Sequence, residues 1–288
     1  MQAVTVRAPA KINLFLRVVG RRPDGYHELV SLMCPVGLYD ILTLTFGGGN
    51  VSVACDHPHV PADDSNLVVR AARLVLAAAA GEVAVDGVHI HLVKNIPVGA
   101  GLGGGSSDAA AVMTALNDRL GRPLDTAGLM ALGARVGADV PFFFCRGPAL
   151  ARGIGDRLEP FPLKAPMTAL LVYPNVVVDT GWVYKNLNLR LTKDEKKLSK
   201  FHFDGRFMDV AVHLVNDLEP VTEKAFPVIS QIKRELLAHG AVGALMSGSG
   251  STVFGLFSDS RRAVSALAAM ENYPQRQNWT LFVADLLI

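Results

Sequence analysis

Residues 97–108 read Pro97-Val98-Gly99-Ala100-Gly101-Leu102-Gly103-Gly104-Gly105-Ser106-Ser107-Asp108, five glycines within seven positions followed by two hydroxyls. Glycine lets the backbone approach a ligand closely and take positive φ. Successive N–H groups then converge, and a helix opening just behind them adds about half a positive charge. The chemistry of such a segment is anion binding, with phosphate the expected guest. Gly99, Gly101 and Gly104 also satisfy the G-x-G-x-x-G pattern of dinucleotide sites. That reading needs a second parallel strand soon after the helix, with an acidic residue about 20 positions past the glycines. Here Leu120 leads instead into Gly121-Arg122-Pro123 and a further helical stretch. No G-K-[ST] closes the segment as in a Walker loop, and the H-R-D and D-F-G segments of protein kinases are absent. A different phosphate cradle is indicated.

Other reactive side chains lie far from this loop in sequence. Lys11 and Asn13 share one parity of an alternating segment, opposite Ile12, Leu14, Leu16 and Val18. Asp139 stands between Gly137, which ends a helical stretch, and Pro141, which disfavours helix at Val140, so its carboxylate is expected on a turn. Tyr26 and His27 follow the Pro/Gly turn Arg22-Pro23-Asp24-Gly25, and Ser247-Gly248-Ser249-Gly250-Ser251 reads as a second glycine-rich turn. Cys55-Asp56-His57-Pro58-His59, with His89 and His91 sharing a strand face, offers metal-ligand types, but its Asp/Pro setting reads as a turn and not a zinc site.

Several elements must hold these residues. Strands are expected at 4–19, 29–33, 41–46, 51–55 and 88–93. Helices are expected from Ser65-Asn66-Leu67 to about Ala80 before Gly81, from about Ser107 to Leu120, and from Thr126 to Val136. After Pro160, strands are expected at 169–173, 252–257 and 279–286 among helical stretches, while the charged run 191–200 reads as a solvated face or connection. Strands and helices mixed without regular alternation indicate an α+β class. At 288 residues one large or two modest domains are expected, with the division near 155–165.

The chain carries 28 Lys+Arg against 26 Asp+Glu, a net charge of +2, which supplies no basic field for nucleic acid. Three cysteines far apart, without any C-x-x-C, suggest reduced thiols in a cytoplasmic protein. Arg7, Lys11 and Arg17 interrupt any signal-peptide core, and no apolar run approaches the ~18 residues of a membrane span, so no membrane partner is expected.

Residues 97–110, PVGAGLGGGSSDAA, resemble the phosphate-binding motif of the GHMP small-molecule kinases. Pro9-Ala10-Lys11-Ile12-Asn13-Leu14 and Ser247-Gly248-Ser249-Gly250-Ser251-Thr252 are similar to that family's remaining motifs, in the family's order. Asp24-Gly25-Tyr26-His27 and Gly137-Ala138-Asp139-Val140-Pro141-Phe142 resemble segments of one branch, belonging to the non-mevalonate isoprenoid pathway. The resemblance spans residues 5–255 or so. It implies a two-lobed α+β fold with the active site in the cleft between the lobes, an N-terminal domain over 1–158 and a C-terminal domain over 159–288. It implies transfer of the γ-phosphate of ATP, with Mg²⁺, to the 2-hydroxyl of a cytidine-diphosphate-linked methylerythritol.

The resemblance also assigns roles. Asp139 and Lys11 match the catalytic aspartate and its lysine. Pro97, Val98, Gly99, Ala100, Gly101, Leu102, Gly103, Gly104, Gly105, Ser106 and Ser107 match the ATP loop, with Asn66 and Lys94 suggested for the adenine end. Asn66 reads equally as a helix cap. Substrate contacts fall on Asn13, Tyr26, His27, Thr180, Tyr184, Gly248 and Ser249, with Tyr26 on one face of the base and His27 at its edge. The second aromatic is Tyr184, with Trp182 in competition, and the second glycine loop is expected to close over substrate and phosphates. The Mg²⁺ ligands stay open, with Ser107 the nearest match, and oligomeric state is not legible.

Overall fold

Asp40, Leu42, Leu44 and Phe46 alternate with half-buried neighbours along one strand, and all four are buried, as a sheet with one face on a core requires. In the computed structural model this strand is part of an α+β fold described over residues 3–79, 87–188, 206–273 and 278–288. The chain divides into two units, each drawn from three segments. The first is Met1–Ala10, Leu38–Val98 and Gly103–Arg146; the second is Lys11–Gly37, Gly99–Leu102 and Gly147–Ile288. The long strands β1 (Ala3–Arg21) and β2 (His27–Phe46) contribute residues to both.

In the first unit, β2 pairs antiparallel with β4 (Val88–Val93), and β3 (Val51–Cys55) pairs parallel with β4. β4 turns Val88, Ile90 and Leu92 inward and His89 and His91 to solvent. The helices α1 (Leu67–Ala78), α2 (Gly104–Arg119) and α3 (Thr126–Val136) pack on one another, and their core includes Val68, Val75, Met113, Leu116, Leu42 and Ile90. Asn66 and Asp125 cap α1 and α3, their side chains accepting from Val68 N at 2.9 Å and Gly128 N at 2.7 Å. A 3-10 turn over Pro141–Phe144 follows α3.

The second unit holds the hairpin β5 (Ala149–Gly153) and β6 (Arg157–Pro160), with β5 paired to residues 29–33 of β2. It also holds an antiparallel sheet in the order β11 (Thr280–Asp285), β7 (Thr168–Tyr173), β10 (Val253–Phe257), β9 (Gly243–Met246). The helices are α4 (Thr180–Asn186), α5 (Phe207–Val212), α6 (Glu219–Ala225), α7 (Val228–Ala238) and α8 (Ser260–Glu271). α7 packs on β9 and β10 through Ile229, Ile232 and Leu236, each fully buried. Burial of each such side chain stabilises the unit by roughly 1.5–3 kcal/mol. The short β8 (Val215–Asn216) pairs parallel with β1 at Phe15 and Leu16.

Three features differ from the sequence reading for physical reasons. The expected strands at 29–33 and 41–46 are one continuous strand, because Pro35 lacks only a donor: its carbonyl still accepts from Leu287 N at 2.9 Å. α1 stops at Ala78, and the expected Gly81 stop lies outside the described residues, as does the charged run 191–200. α2 opens at Gly104 and not near Ser107, so its first turn is built from two glycines and two serines. Gly137 ends α3 with extended backbone (φ −173°), which makes no use of glycine's left-handed freedom. Among the described residues no helix is long and apolar enough to cross a membrane.

Candidate active site

Three glycines of the first loop, Gly99, Gly101 and Gly103, have positive φ of 67°, 78° and 69°, so the chain reverses repeatedly before α2 begins. No side chain caps α2 at Gly103, so the backbone donors of its first turn stay available to a ligand. The Ser107 hydroxyl and Asp108 Oδ1 behind them are buried without a hydrogen-bond partner. Among the described residues one other buried side-chain atom is in that state, Thr252 Oγ1 at the end of the second glycine loop. Buried polar atoms are rarely left this way, and all three fall at the two loops. The turn carrying Asp139 is close to the same helix start: a Cβ on Gly137 would lie 3.8 Å from Ser106 Oγ. Val140 N donates to the Gly137 carbonyl at 3.1 Å, closing that turn, and Asp139 is half-buried within it.

A buried charge network underlies the helix start. Lys94 Nζ pairs with Asp40 Oδ2 and donates to Asp108 Oδ2 at 2.8 Å, with side-chain exposures of 5%, 0% and 2% for Lys94, Asp40 and Asp108. Asp40 Oδ1 accepts from Asn95 N at 2.6 Å and Ile96 N at 2.9 Å, just before the glycine loop. Burial pushes the Asp108 carboxyl up to about 7 against the pull of Lys94, with the Asp40 charge adding to the rise. Burial alone would lower the Lys94 ammonium, but the two carboxylates outweigh it and raise it. Gly104 is small for a definite reason: a Cβ there would meet Lys94 Nζ at 3.1 Å, Ile96 Cγ2 at 3.1 Å and Asp40 Oδ2 at 3.3 Å. Lys94, read from the resemblance as a nucleotide residue, is engaged by these two acids.

The second unit supplies the other candidates. Lys11 is 4% exposed, its Nζ donating to Asn13 Oδ1 at 2.7 Å, while Asn13 Nδ2 donates to Ser31 Oγ at 2.8 Å and Ser31 Oγ to the Phe15 carbonyl at 2.7 Å. This chain orients the Asn13 amide and holds the ammonium from below. Lys11 N donates to the Leu102 carbonyl at 2.9 Å, which ties the strand to the first loop. The second glycine loop is docked on residues 100–101 of the first: Ser247 Oγ donates to the Gly101 carbonyl at 2.9 Å and Thr252 N to the Ala100 carbonyl at 3.2 Å. A Cβ on Gly101 would overlap the Ser247 carbonyl, so only glycine fits. Gly248 (φ 57°) faces Lys11 and Asn13, a Cβ there lying 3.4 Å from Lys11 Nζ and 3.5 Å from Asn13 Oδ1.

Mostly neutral groups brace that loop. Asn216 Nδ2 donates to the carbonyls of Met246 at 2.8 Å and Gly248 at 2.7 Å, and its Oδ1 accepts from Leu218 N at 2.9 Å. Thr222 Oγ1 donates to the Ser249 carbonyl at 3.0 Å, and Thr180 and Ser249 share a hydroxyl hydrogen bond of 2.8 Å. Glu219, paired with Lys233, accepts from Met246 N at 2.7 Å.

Tyr184 stacks on His27 itself, with ring centroids 5.0 Å apart and planes 21° apart. Tyr26 is 61% exposed, its N–H donating to Asp24 Oδ1 at 3.1 Å. Trp182 is exposed at 41%. Burial, then the Arg21 charge, lowers the His27 imidazolium, which favours a neutral ring with one donor and one acceptor. Asn66 uses its amide locally, Oδ1 on Val68 N and Nδ2 on the Pro61 carbonyl at 2.6 Å.

Sequence reasoning missed Asp40, Ser31, Asn216 and Thr222. Only Asp40 leaves a trace, as an acid in the apolar parity of Leu42, Leu44 and Phe46. The others are ordinary polar residues, each with a partner 16 to 32 positions away.

Comparison with known proteins gives the family. The GHMP kinases N terminal domain matches residues 66–147, and the GHMP kinases C terminal domain matches residues 200–275. A 4-diphosphocytidyl-2-C-methyl-D-erythritol kinase of Syntrophotalea carbinolica is 48% identical over 279 residues, 96% of this chain and 97% of the relative. The protein of that name from Pelobacter propionicus is 46% identical over 288 residues, all of both chains. A crystal structure of 4-(cytidine 5'-diphospho)-2C-methyl-D-erythritol kinase is 36% identical, with a TM-score of 0.82 over 99% of this chain and 100% of that one. Full-length identity at this level, with both domains in order, places the chain among the GHMP kinases, in the family of 4-diphosphocytidyl-2-C-methyl-D-erythritol kinases.

Proposed function

We infer that the protein phosphorylates the 2-hydroxyl of 4-diphosphocytidyl-2-C-methyl-D-erythritol at the expense of ATP, releasing ADP and the 2-phosphate. This is a step in the non-mevalonate route to isopentenyl diphosphate. The observation that carries this reading is the likeness to a full-length relative of that name, 48% identical over 279 residues. We read the spans 1–158 and 159–288 as the two family domains, and the matches at 66–147 and 200–275 fall on either side of that boundary. The enzyme is taken to act in the cytoplasm.

The chemistry asked of the residues is modest, since phosphoryl transfer depends on positioning and charge stabilisation more than on covalent steps. The 2-hydroxyl oxygen forms a bond to the γ-phosphorus as the bond to the β-phosphate oxygen breaks, and ADP departs. Asp139 orients the hydroxyl and takes its proton; support comes from its place on a turn, free of helix geometry. Lys11 stabilises negative charge on the attacking oxygen and the transferred group, supported by the Asn13–Ser31 chain that holds its ammonium. Residues 97–107 hold the phosphates of ATP through backbone donors and the α2 dipole. Asn66 and Lys94 belong to the nucleotide set by shaping, through the α1 cap and the charge network.

Mg²⁺ supplies charge neutralisation on the β- and γ-phosphates when bound. It takes few protein oxygens and keeps its waters, so the unpartnered Ser107 hydroxyl fits it. For the acceptor, Asn13, Thr180, Gly248 and Ser249 line the methylerythritol part, and Tyr26, His27 and Tyr184 take the cytosine. The His27–Tyr184 stack and the lowered His27 imidazolium support that assignment, with Tyr26 turning in from solvent to complete a sandwich. Phosphorus NMR of a reaction with ATP and this acceptor, beside mevalonate and homoserine, tests the reading. A new phosphomonoester on the 2-oxygen of the cytidylyl compound is expected. Preference for another acceptor would overturn it.

A further inference from the structure

The shaping role given to Lys94 leaves its partner Asp40 unassigned, yet that carboxylate bonds the entry side of the first glycine loop and reaches the exit side through Lys94. Asp40 Oδ1 accepts from Asn95 N and Ile96 N at 2.6 and 2.9 Å, the last amides before Pro97. Asp40 Oδ2 holds Lys94, and Lys94 in turn holds Asp108 at 2.8 Å in the second turn of α2. The same Oδ2 would lie 3.3 Å from a Cβ on Gly104, the first residue of that helix. The seven residues 97–103 are therefore strung between two anchors that meet at a single side chain.

We propose that Asp40 is a positioning residue for ATP: its carboxylate sets the separation between the strand that leads into the phosphate loop and the helix that leads out of it. Backbone donors reward a phosphate only when their directions converge, so a loop fastened at both ends has its donors aligned before the ligand arrives. Charge is the suitable fastening. Charge-assisted hydrogen bonds are short and directional, and with the Asp40 and Lys94 side chains this buried, solvent does not compete for them. The absence of a side chain at Gly104 suits the device, because a Cβ there would crowd Lys94 Nζ at 3.1 Å and Asp40 Oδ2 at 3.3 Å. This inference rests on the assignment of residues 97–107 to ATP.

The test is steady-state kinetics of Asp40→Asn and Asp108→Asn beside the wild type, with each substrate varied in turn and folding followed by thermal unfolding. Asp40→Asn keeps an acceptor for Asn95 and Ile96 but loses the charge that holds Lys94; Asp108→Asn weakens the link from the helix side. In both, KM for ATP is expected to rise about tenfold or more, while kcat at saturating ATP and KM for the cytidylyl substrate stay within about threefold. Unchanged KM for ATP in folded variants overturns the proposal. So does a parallel loss of all three parameters, or failure of both variants to fold, either of which makes the network structural only. A wild type without activity on the cytidylyl substrate but with ATP binding retained refutes the assigned reaction and leaves this inference to be read from ATP affinity, where the same tenfold loss is expected.

Discussion

The two glycine loops are held in place by different chemistry. The first is anchored at its helix end by buried ions, Lys94 between Asp40 and Asp108. The second rests on an amide and hydroxyls, Asn216, Thr222 and Ser249, with one partly exposed ion pair, Glu219–Lys233, at its margin. Both loops need glycine, but for unlike reasons. Gly101 yields to the backbone of the second loop, whereas Gly104 yields to a lysine and an aspartate. A neutral brace is modest when made and moderately costly when broken, at about 1–3 kcal/mol for an orphaned buried group. An ionic brace is far less tolerant, because loss of one partner strands a buried charge at about 3–5 kcal/mol. The first loop should therefore be the stiffer and the more sensitive to pH and mutation.

The largest contrast is between Lys94→Met and Asn216→Ala. At pH 8, Lys94→Met leaves two buried carboxylates without a cation and is expected to cost about 3–5 kcal/mol in urea unfolding. Asn216→Ala strands the carbonyls of Met246 and Gly248 and is expected to cost about 1–3 kcal/mol. A larger loss at Asn216 would reverse the ranking of the two braces.

Next comes pH. The Asp108 carboxyl binds its proton more tightly in the fold, at about 7, than its ordinary value of 3.8 in the unfolded chain. The native state then holds more protons between these values, so stability falls as pH rises from about 4 to about 7 and is level above. Asp108→Asn should remove that decline, and Asn216→Ala should leave its shape intact. Unfolding curves across pH 5–8 decide this; equal slopes in wild type and Asp108→Asn would mean that the acid is not strained by burial.

The smallest effect is expected at Gly104→Ala. Alanine gains about 1 kcal/mol of helix propensity over glycine, while its Cβ crowds Lys94 and Asp40 at 3.1 and 3.3 Å. Stability should change by about 1 kcal/mol or less, with the crowding visible instead as weaker ATP binding. Calorimetric titration with ATP checks it, and unchanged affinity would show that the network gives way easily.

What the sequence made legible follows range. Asn66 opens α1 by capping the very next turn, and the glycine run lies between a strand and a helix, so local pattern sufficed. The continuity of β2 through Pro35 was hidden, because the group that accepts Leu287 N is a carbonyl every residue carries. The docking of one glycine loop on the other was hidden for a stronger reason. Ser247 and Gly101 are 146 positions apart, and nothing in either loop's composition names its partner. The Tyr184–His27 stack shows the same limit, since each residue was legible as aromatic or basic but their contact was not.

In the proposed reaction the loops bind and Asp139 acts. ADP release with ATP, Mg²⁺ and 4-diphosphocytidyl-2-C-methyl-D-erythritol, compared between wild type and Asp139→Asn, separates the two roles. The wild type should turn over, and Asp139→Asn should lose on the order of 10²–10⁴ in kcat with KM for ATP within about threefold. Near-full turnover by Asp139→Asn, or no release by the wild type, would contradict it.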